Sequence, residues 1–252
     1  MRKRLLLFIA LGWVLLLIGD RVDELRVYQG ASIAVYVIAI GSIILLTGYS
    51  GQISLGHGAL MAFGGYVAAL CATNASLPLW FAFVMAALVT GIFGGILGFA
   101  AARLSGPYLA GTTLALAVGL PSLANQFSIL GGEQGIYLDP GLPPASLGES
   151  FSQYKWFFWI TTLAALITMF WLANILHSKY GRTWRALRSN DVAAQLCGVQ
   201  TGRQKVLAFS LSSGRAGLAG ALLVLTISTV SPSAFPLSLS FALVTGAVVS
   251  GI

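Results

Sequence analysis

Long apolar runs alternate with short polar stretches along the chain, and most of the runs have the length of membrane-crossing helices. A helix needs about 20 predominantly apolar residues to cross a bilayer. The pattern predicts eight spans, at 5–18, 30–48, 57–73, 79–102, 107–127, 155–176, 205–227 and 235–252. The first run is short, so we expect Arg2 to Arg4 to extend it as snorkelling ends of an uncleaved span. The sequence therefore predicts an all-α polytopic transmembrane bundle that forms one domain over residues 1–252.

Basic residues are distributed unevenly among the polar stretches, and this predicts the topology. Residues 177–205 contain six Lys or Arg and one acid. Because short loops rich in Lys and Arg stay in the cytoplasm, the loop 177–204 and the N-terminus are expected inside. Alternation of the eight spans then places two more loops inside and four outside. The inner loops are 49–56 and 103–106, and the outer loops are 19–29, 74–78, 128–154 and 228–234.

The composition excludes several classes of protein. With 57% hydrophobic and 8% charged residues, the chain is not a soluble globule, which carries about 25% charged residues. The net charge of +7 lies between spans and not on an exposed reading surface, so nucleic acid is not an expected partner. The histidines and cysteines lack metal-ligand spacing, so no metal or other cofactor is predicted.

The energy source is also restricted by the sequence. No Lys precedes a Ser or Thr, so the chain has no phosphate-binding P-loop of its own. The predicted spans hold no Asp or Glu, which disfavours proton coupling. Arg215 is the one clearly embedded charge. Any energy for transport is therefore expected to come through a partner.

A glycine-rich polar segment, TGYSGQISLGHGALMAFGGY, occupies residues 47–66 at a predicted membrane boundary. Such sequence favours a broken or re-entrant helix near 47–58, which is tolerated where it is buried in protein or lines a cavity. The alternative is a plain cytoplasmic turn. In the fifth predicted span, polar residues flank Pro121, although threonines more often bond their own helix. The candidate pathway residues are Ser50, Gly51, Gln52, Ser54, Gly56, His57, Gly58, Thr112, Thr113 and Asn125.

Ser54 and His57 allow an enzymatic alternative, because their spacing of three residues suits a nucleophile and base in an intramembrane serine protease. No carboxylate in the predicted spans is available to orient the histidine. The nucleophile-elbow pattern G-x-S-x-G is also absent around the segment's serines. A transport role is therefore favoured over the protease. A passive channel is a further alternative, intermediate between the two.

The basic loop contains a predicted short helix. Ser189 or Asn190 is placed to cap its N-terminus, Asp191 follows in the first turn, and Gly198 is placed to end it. This surface suits docking of another protein, whereas the alternative is an interfacial helix whose arginines contact anionic lipid headgroups. The expected surface consists of Val192 and Leu196 with the small residues Ala193, Ala194 and Cys197.

Small residues at four-residue spacing predict close helix pairing within the bundle. The pairs are Gly91 and Gly95, Gly94 and Gly98, Ser213 and Gly217, and Gly217 and Ala221. The outer segment 128–154 contains GGEQG and DPGLPP, so it is expected to be a loop and not a strand or a span.

Several of these segments together resemble a known family. TGYSGQISLGHGALMAFGGYVAA is similar to the signature of the LivM/LivH permeases, the membrane subunits of ABC importers for branched-chain amino acids. Three further stretches occur in the same order as in the family. They are GPYLAGTTLAL, GGEQGI and RALRSNDVAAQLCGVQTGRQKVLAFSLSSGRAGLAGAL. The place of the long outer loop along the chain and the pattern RALRxxDxAA look more like LivM than LivH.

The resemblance implies a set of partners and a coupling site. The working unit would comprise two permeases, two cytoplasmic ABC ATPases and a periplasmic solute-binding protein in a bacterial inner membrane, operating by alternating access. ATP hydrolysis is expected on the separate subunits, and this chain is not expected to be an enzyme. The segment that an ATPase grips would contain Arg188, Asn190, Asp191, Ala193, Ala194 and Gly198.

Two features depart from the family. Arg215 stands where members usually have an apolar residue, and a buried charge there needs a partner such as a backbone carbonyl or a lipid phosphate. The chain also stops at Ile252 inside an apolar run, which is expected for a truncated product. The implied solute is a branched-chain amino acid, with urea and short amides as alternatives.

Overall fold

The structure, a computed structural model, describes residues 2–75, 77–102, 107–141, 143 and 151–251 and consists mainly of helices. Its α-helices are α1 (Arg2–Arg21), α2 (Glu24–Ile43), α3 (His57–Thr73), α4 (Leu79–Ala101), α5 (Pro107–Gln126), α6 (Gln153–His177), α7 (Lys179–Ser189), α8 (Asp191–Leu196), α9 (Thr201–Ile227) and α10 (Leu237–Val249). A π-helix, Ile44–Tyr49, continues α2. Short 3-10 helices occur at Ser128–Leu130 and Pro232–Ala234, and the strands are β1 (Ile136–Tyr137) and β2 (Thr229–Val230).

Each predicted span overlaps one of these helices, which confirms the all-α polytopic class. By length and composition, five of the described helices are long and apolar enough to cross a membrane. They are Glu24–Tyr49, Leu79–Ala101, Gln153–His177, Thr201–Ile227 and Pro232–Val249. The predicted count of eight is not confirmed by this criterion. The apolar α3 has 17 residues, and α1 contains Arg or Asp residues near both ends.

Helix α9 lies at the centre of the bundle, against α4 and α3 and beside α2. Gly64 of α3 lies so close to Gly217 of α9 that a β-carbon on Gly64 would overlap the Gly217 backbone. A β-carbon on Gly94 of α4 would likewise overlap the side chain of Ser213 in α9. Lipid provides no hydrophobic force between helices, so this close backbone packing supplies the attraction. The predicted role of the small-residue spacing is confirmed for these contacts.

The ends of α9 mark the two sides of the bundle, about 40 Å apart at 1.5 Å per residue. Beyond its C-terminal end, β1 pairs antiparallel with β2, which joins the predicted outer loops 128–154 and 228–234. Asp20, in the predicted outer loop 19–29, forms a salt bridge of 3.0 Å with Lys155, the first residue of the predicted span that follows the outer loop 128–154. These contacts agree with the predicted grouping of the loops.

The outer segment 128–154 differs from its prediction in one respect. It contains the two-residue strand β1, because its backbone pairs with the chain that follows α9. The pairing continues where the Leu138 N–H donates to the Ser228 carbonyl oxygen, 2.9 Å away. Residues 142 and 144–150 of this segment lie outside the described residues.

Candidate functional site

The path from α2 to α3 is interrupted at residues 50–56, hereafter the break segment, as predicted for a broken helix. The π-helix widens the preceding turn, a feature often found at functional sites. Ser50 Oγ and the Gln52 N–H both donate to the carbonyl oxygen of Leu46, at 2.9 and 3.2 Å, so they satisfy the end of the helix. Gly51 adopts φ +72°, a conformation that favours glycine.

Helices α5 and α10 hold the far end of the break segment and the first turn of α3. The Leu55 N–H donates to Thr113 Oγ1 of α5 at 3.0 Å, and the Gly58 N–H donates to Ser240 Oγ of α10 at 3.1 Å. A β-carbon on Gly56 would lie 2.7 Å from the Thr113 carbonyl oxygen. Glycine at position 56 is therefore required by a close approach of two backbones.

His57 is the first residue of α3, and its side chain is hydrogen-bonded to α9. Its Nε2 lies 2.8 Å from Ser212 Oγ, and Ser212 Oγ donates to the Ser42 carbonyl oxygen at 2.6 Å. Because that hydroxyl gives its single proton to the carbonyl, His57 Nε2 is the donor to the serine oxygen. Ser54 Oγ accepts from the Gly56 N–H at 3.4 Å. Within the described residues, Ser54 and His57 therefore do not form the hydrogen-bonded pair that the protease alternative requires.

The predicted pathway residues fall into two groups. The buried group surrounds the break segment and contains Ser50, Gln52, Ser54, His57 and Thr113. Thr112 and Asn125 lie apart from it, at exposed positions of α5. Thr112 and Thr113 also donate to the Leu109 carbonyl oxygen of their own helix, at 2.9 and 3.0 Å. These bonds are the alternative role expected for the threonines, in which a hydroxyl bonds its own helix backbone.

Sequence reasoning missed four residues that fix the break segment in place. Ser212 and Ser240 accept from His57 and Gly58 in the first turn of α3, directly after the segment. The Ser42 carbonyl oxygen accepts in turn from Ser212 Oγ. Lys205 supplies its backbone carbonyl oxygen to Gln52 Nε2 at 3.2 Å. The serines are isolated hydroxyls in apolar helices, and a single sequence does not distinguish them from hydroxyls that bond their own backbone.

The predicted loop 177–204 is largely helical, because α7 and α8 occupy most of it. The amphipathic helix α7 was not predicted. It buries Trp184 and Leu187, and Trp184 Nε1 donates to the Gln204 carbonyl oxygen of α9 at 3.2 Å. Ser178 caps its N-terminus by accepting from the Tyr180 N–H at 3.2 Å. Helix α7 is therefore a fixed part of the bundle.

Helix α8 is the predicted capped helix. Asn190 Oδ1 accepts from the Ala193 N–H at 3.0 Å, and Gly198 adopts φ +81° just beyond the C-terminus. Both capping predictions are confirmed. The exposed side of the helix consists of Val192, Ala193, Leu196 and Cys197, hereafter the α8 surface. Ala194 was expected on that surface, but it is buried because it packs into the hydrophobic core.

Two charged side chains attach this region to the rest of the bundle. Asp191 Oδ2 forms a salt bridge of 2.5 Å with Lys205 Nζ, joining α8 to α9. The Arg188 guanidinium donates to the Gly48 carbonyl oxygen, just before the break segment. Arg188 of the predicted coupling segment therefore contacts the end of the π-helix that leads into the break segment.

The described residues contain no cluster of three or more His, Cys, Asp or Glu side chains suited to a metal ion. Cys71 and Cys197 are both free thiols. The chemistry that this region presents is hydrogen bonding and packing around a break in a helix.

A bundle in which five of the described helices are long and apolar enough to cross a membrane is typical of a multi-pass membrane protein. The chain belongs to the family of permease components of the branched-chain amino acid transport system, whose family model matches residues 28–252.

Among curated proteins, the high-affinity branched-chain amino acid transport system permease protein LivM of Salmonella typhimurium is 30% identical over 91% of this chain and 58% of its own length. LivM of Escherichia coli is 29% identical over the same shares. The chain thus spans less than two thirds of the length of these relatives. No solved structure gives a significant match.

Proposed function

We propose that the chain is the membrane-spanning subunit of an ATP-driven importer in the bacterial inner membrane, with its N-terminus in the cytoplasm. The observation that carries this proposal is the α8 surface. Val192 and Leu196 are 65% and 85% exposed on a helix that is capped at both ends and anchored to α9. An ordered helix that presents apolar side chains beside exposed arginines suits docking of a second protein.

The proposed assembly contains the partners that such a subunit requires. Two cytoplasmic ABC ATPases bind the α8 surfaces of two permease subunits, of which this chain is one and a homologous LivH-like chain the other. A periplasmic solute-binding protein delivers the solute from the other side, and lipid surrounds the bundle. ATP hydrolysis takes place on the ATPases, since none of the lysines here precedes a hydroxyl residue.

The proposed solute is a branched-chain amino acid, on the basis of the family. Thr112 and Asn125 are exposed residues of α5, and the exposed Gly111 leaves room for a neighbour. We assign the exposed surface of α5 to the solute pathway between the two permeases. Closure of the ATPases then moves α8, and the bundle alternates between outward-open and inward-open states.

Proteoliposomes that contain this chain together with the proposed ATPases, second permease and binding protein test the proposal. ATP-dependent uptake of labelled leucine is expected. Leu196→Glu places a charge on the α8 surface and should abolish both ATPase binding and uptake. Gln200→Glu, an exposed position just outside α8, is the matched control and should preserve both.

Three results would contradict the proposal or its solute assignment. Uptake that persists in Leu196→Glu would remove the α8 surface from the coupling mechanism. Proteolysis of a membrane substrate that is lost in Ser54→Ala would favour the protease alternative. Competition by excess urea or acetamide identifies the solute class, and loss of leucine uptake under that competition would overturn the amino-acid assignment.

A further inference from the structure

The break segment is attached at its near end to α7, next to the α8 surface. Gly48 lies two residues before Ser50, in the π-helix that leads into the segment, and its carbonyl oxygen accepts from the Arg188 guanidinium. Gly51 packs against the same residue, because a β-carbon on Gly51 would lie 3.3 Å from both the Cα and the Cγ of Arg188. Backbone and side chain of one arginine thus contact the chain on both sides of Ser50.

Gln52 makes a second attachment, to the beginning of α9. Its side chain is buried, and Nε2 donates to the Lys205 carbonyl oxygen at 3.2 Å and to Ser50 Oγ at 2.7 Å. The ammonium group of the same lysine forms the salt bridge with Asp191 of α8. A single residue of α9 therefore joins Gln52 to α8.

The far end of the break segment and the first turn of α3 are attached to different helices. The Leu55 N–H is hydrogen-bonded to Thr113 of α5, and the Gly58 N–H is hydrogen-bonded to Ser240 of α10. Only two residues lie between Gln52 and Leu55, so the chain from one to the other extends to about 10 Å at most. A segment this short has little slack, and a shift of α7 and α8 is passed to α5 and α10 instead of being absorbed.

We propose that Gln52 is a positioning residue that couples movement of α8 to movement of α5, the helix assigned above to the solute pathway. This inference rests on the proposed function, because it requires an ATPase at the α8 surface. Gln52 itself touches neither the ATPase nor the solute. Its loss should therefore separate ATP hydrolysis from transport, which a loss of docking does not do.

The test uses the complete transporter in proteoliposomes and measures ATPase binding, ATP hydrolysis and leucine uptake for each variant. Gln52→Met removes both donated hydrogen bonds at similar side-chain length. It should leave ATPase binding within twofold of the unsubstituted protein, while uptake per ATP hydrolysed falls at least tenfold. Arg188→Met removes the hydrogen bond to the Gly48 carbonyl oxygen and should also lower uptake per ATP hydrolysed.

Ser210→Ala is the matched control. It removes a 2.7 Å hydrogen bond from α9 to the Gly91 carbonyl oxygen of α4, away from the break segment. Uptake per ATP should stay unchanged in this variant. If it falls as it does in Gln52→Met, any loosening of α9 uncouples the transporter and the specific role of Gln52 is overturned.

The remaining outcomes are also decisive. Normal uptake per ATP in Gln52→Met, with ATPase binding intact, overturns the inference and leaves the proposed function standing. If Gln52→Met fails to fold, Arg188→Met decides, because position 188 lies on the exposed side of α7. Failure of the unsubstituted protein to bind an ATPase rejects the proposed function itself.

Discussion

The guanidinium of Arg215, in α9, donates a hydrogen bond to the carbonyl oxygen of Gly41 in α2, 3.4 Å away. Its other terminal nitrogen lies 3.4 Å from Met169 Sδ in α6, and the residue is only 3% exposed. A backbone carbonyl was one of the two partners expected for this embedded charge. Among the described residues, no carboxylate forms a salt bridge with it. A carbonyl and a thioether offset the desolvation of a cation only in part.

Arg215→Met is therefore expected to be tolerated. Methionine fills similar space without a buried charge, so the free energy of unfolding should be unchanged or higher, as when apolar residues replace buried charges. Arg215→Ala instead leaves a cavity and should cost about 2–5 kcal/mol. The stability of both variants is measured by heating the protein in detergent and recording the fraction that remains monodisperse at each temperature. A clear loss of stability in Arg215→Met would show that the hydrogen bond to Gly41 outweighs the cost of desolvation.

The packing of α9 against α3 gives a second prediction, for Gly220→Ala. A β-carbon at this position would overlap the Met61 carbonyl oxygen, which belongs to helix backbone and moves only with its helix. The expected cost is about 1–3 kcal/mol or more, as for other overpacked sites. Gly202→Ala makes the same change on the same helix, where no atom lies within 4 Å, and should be neutral or slightly stabilising. Equal Tm values for the two variants would contradict the close packing.

The sequence predicted the helix break and the caps of α8 because these features have local causes. Asn190 and Gly198 are recognisable from residue type and spacing, and clustered glycines at residues 48–58 are incompatible with a stable apolar helix. Grouping of the loops on two sides followed from the positions of Lys and Arg. The signals for the break and for the caps each lie within about ten residues of chain, whereas the grouping of the loops needed only the count of Lys and Arg in each loop.

The contacts that hold the site together were not predictable in the same way. Gln52 meets Lys205, and His57 meets Ser212, across more than 150 residues of sequence. One hydroxyl or amide in an apolar helix carries no mark of its distant partner. Helix α7 was missed because Trp184 and Leu187 are few apolar residues among many basic ones. Ala194 was misplaced because a six-residue helix does not reveal which side faces the protein.

Capping of α8 can be tested through local stability. Asn190→Ala removes the acceptor for the Ala193 N–H and should cost about 1 kcal/mol, typical of a lost N-cap. Amide hydrogen exchange of residues 191–196 is expected to accelerate by about fivefold, which corresponds to that free energy. Asn190→Asp retains the acceptor and should exchange like the unsubstituted protein. Unchanged exchange in Asn190→Ala would show that packing of Ala194 alone holds the helix.

The proposed orientation in the membrane predicts opposite labelling of the two ends of the bundle. Cys197 is exposed on the α8 surface, so a membrane-impermeant maleimide should label it in inside-out vesicles and not in right-side-out ones. Cys71→Ser removes the second thiol from the background. Ser233, exposed beyond the C-terminal end of α9, provides the matched position.

With Cys197→Ser and Ser233→Cys combined, the labelling pattern should reverse, because about 40 Å of helix separates the two ends. Labelling of Cys197 from outside intact cells would place the α8 surface where no cytoplasmic ATPase can reach it. The basic residues around α7 would then lie on the outer side of the membrane, against the positive-inside rule.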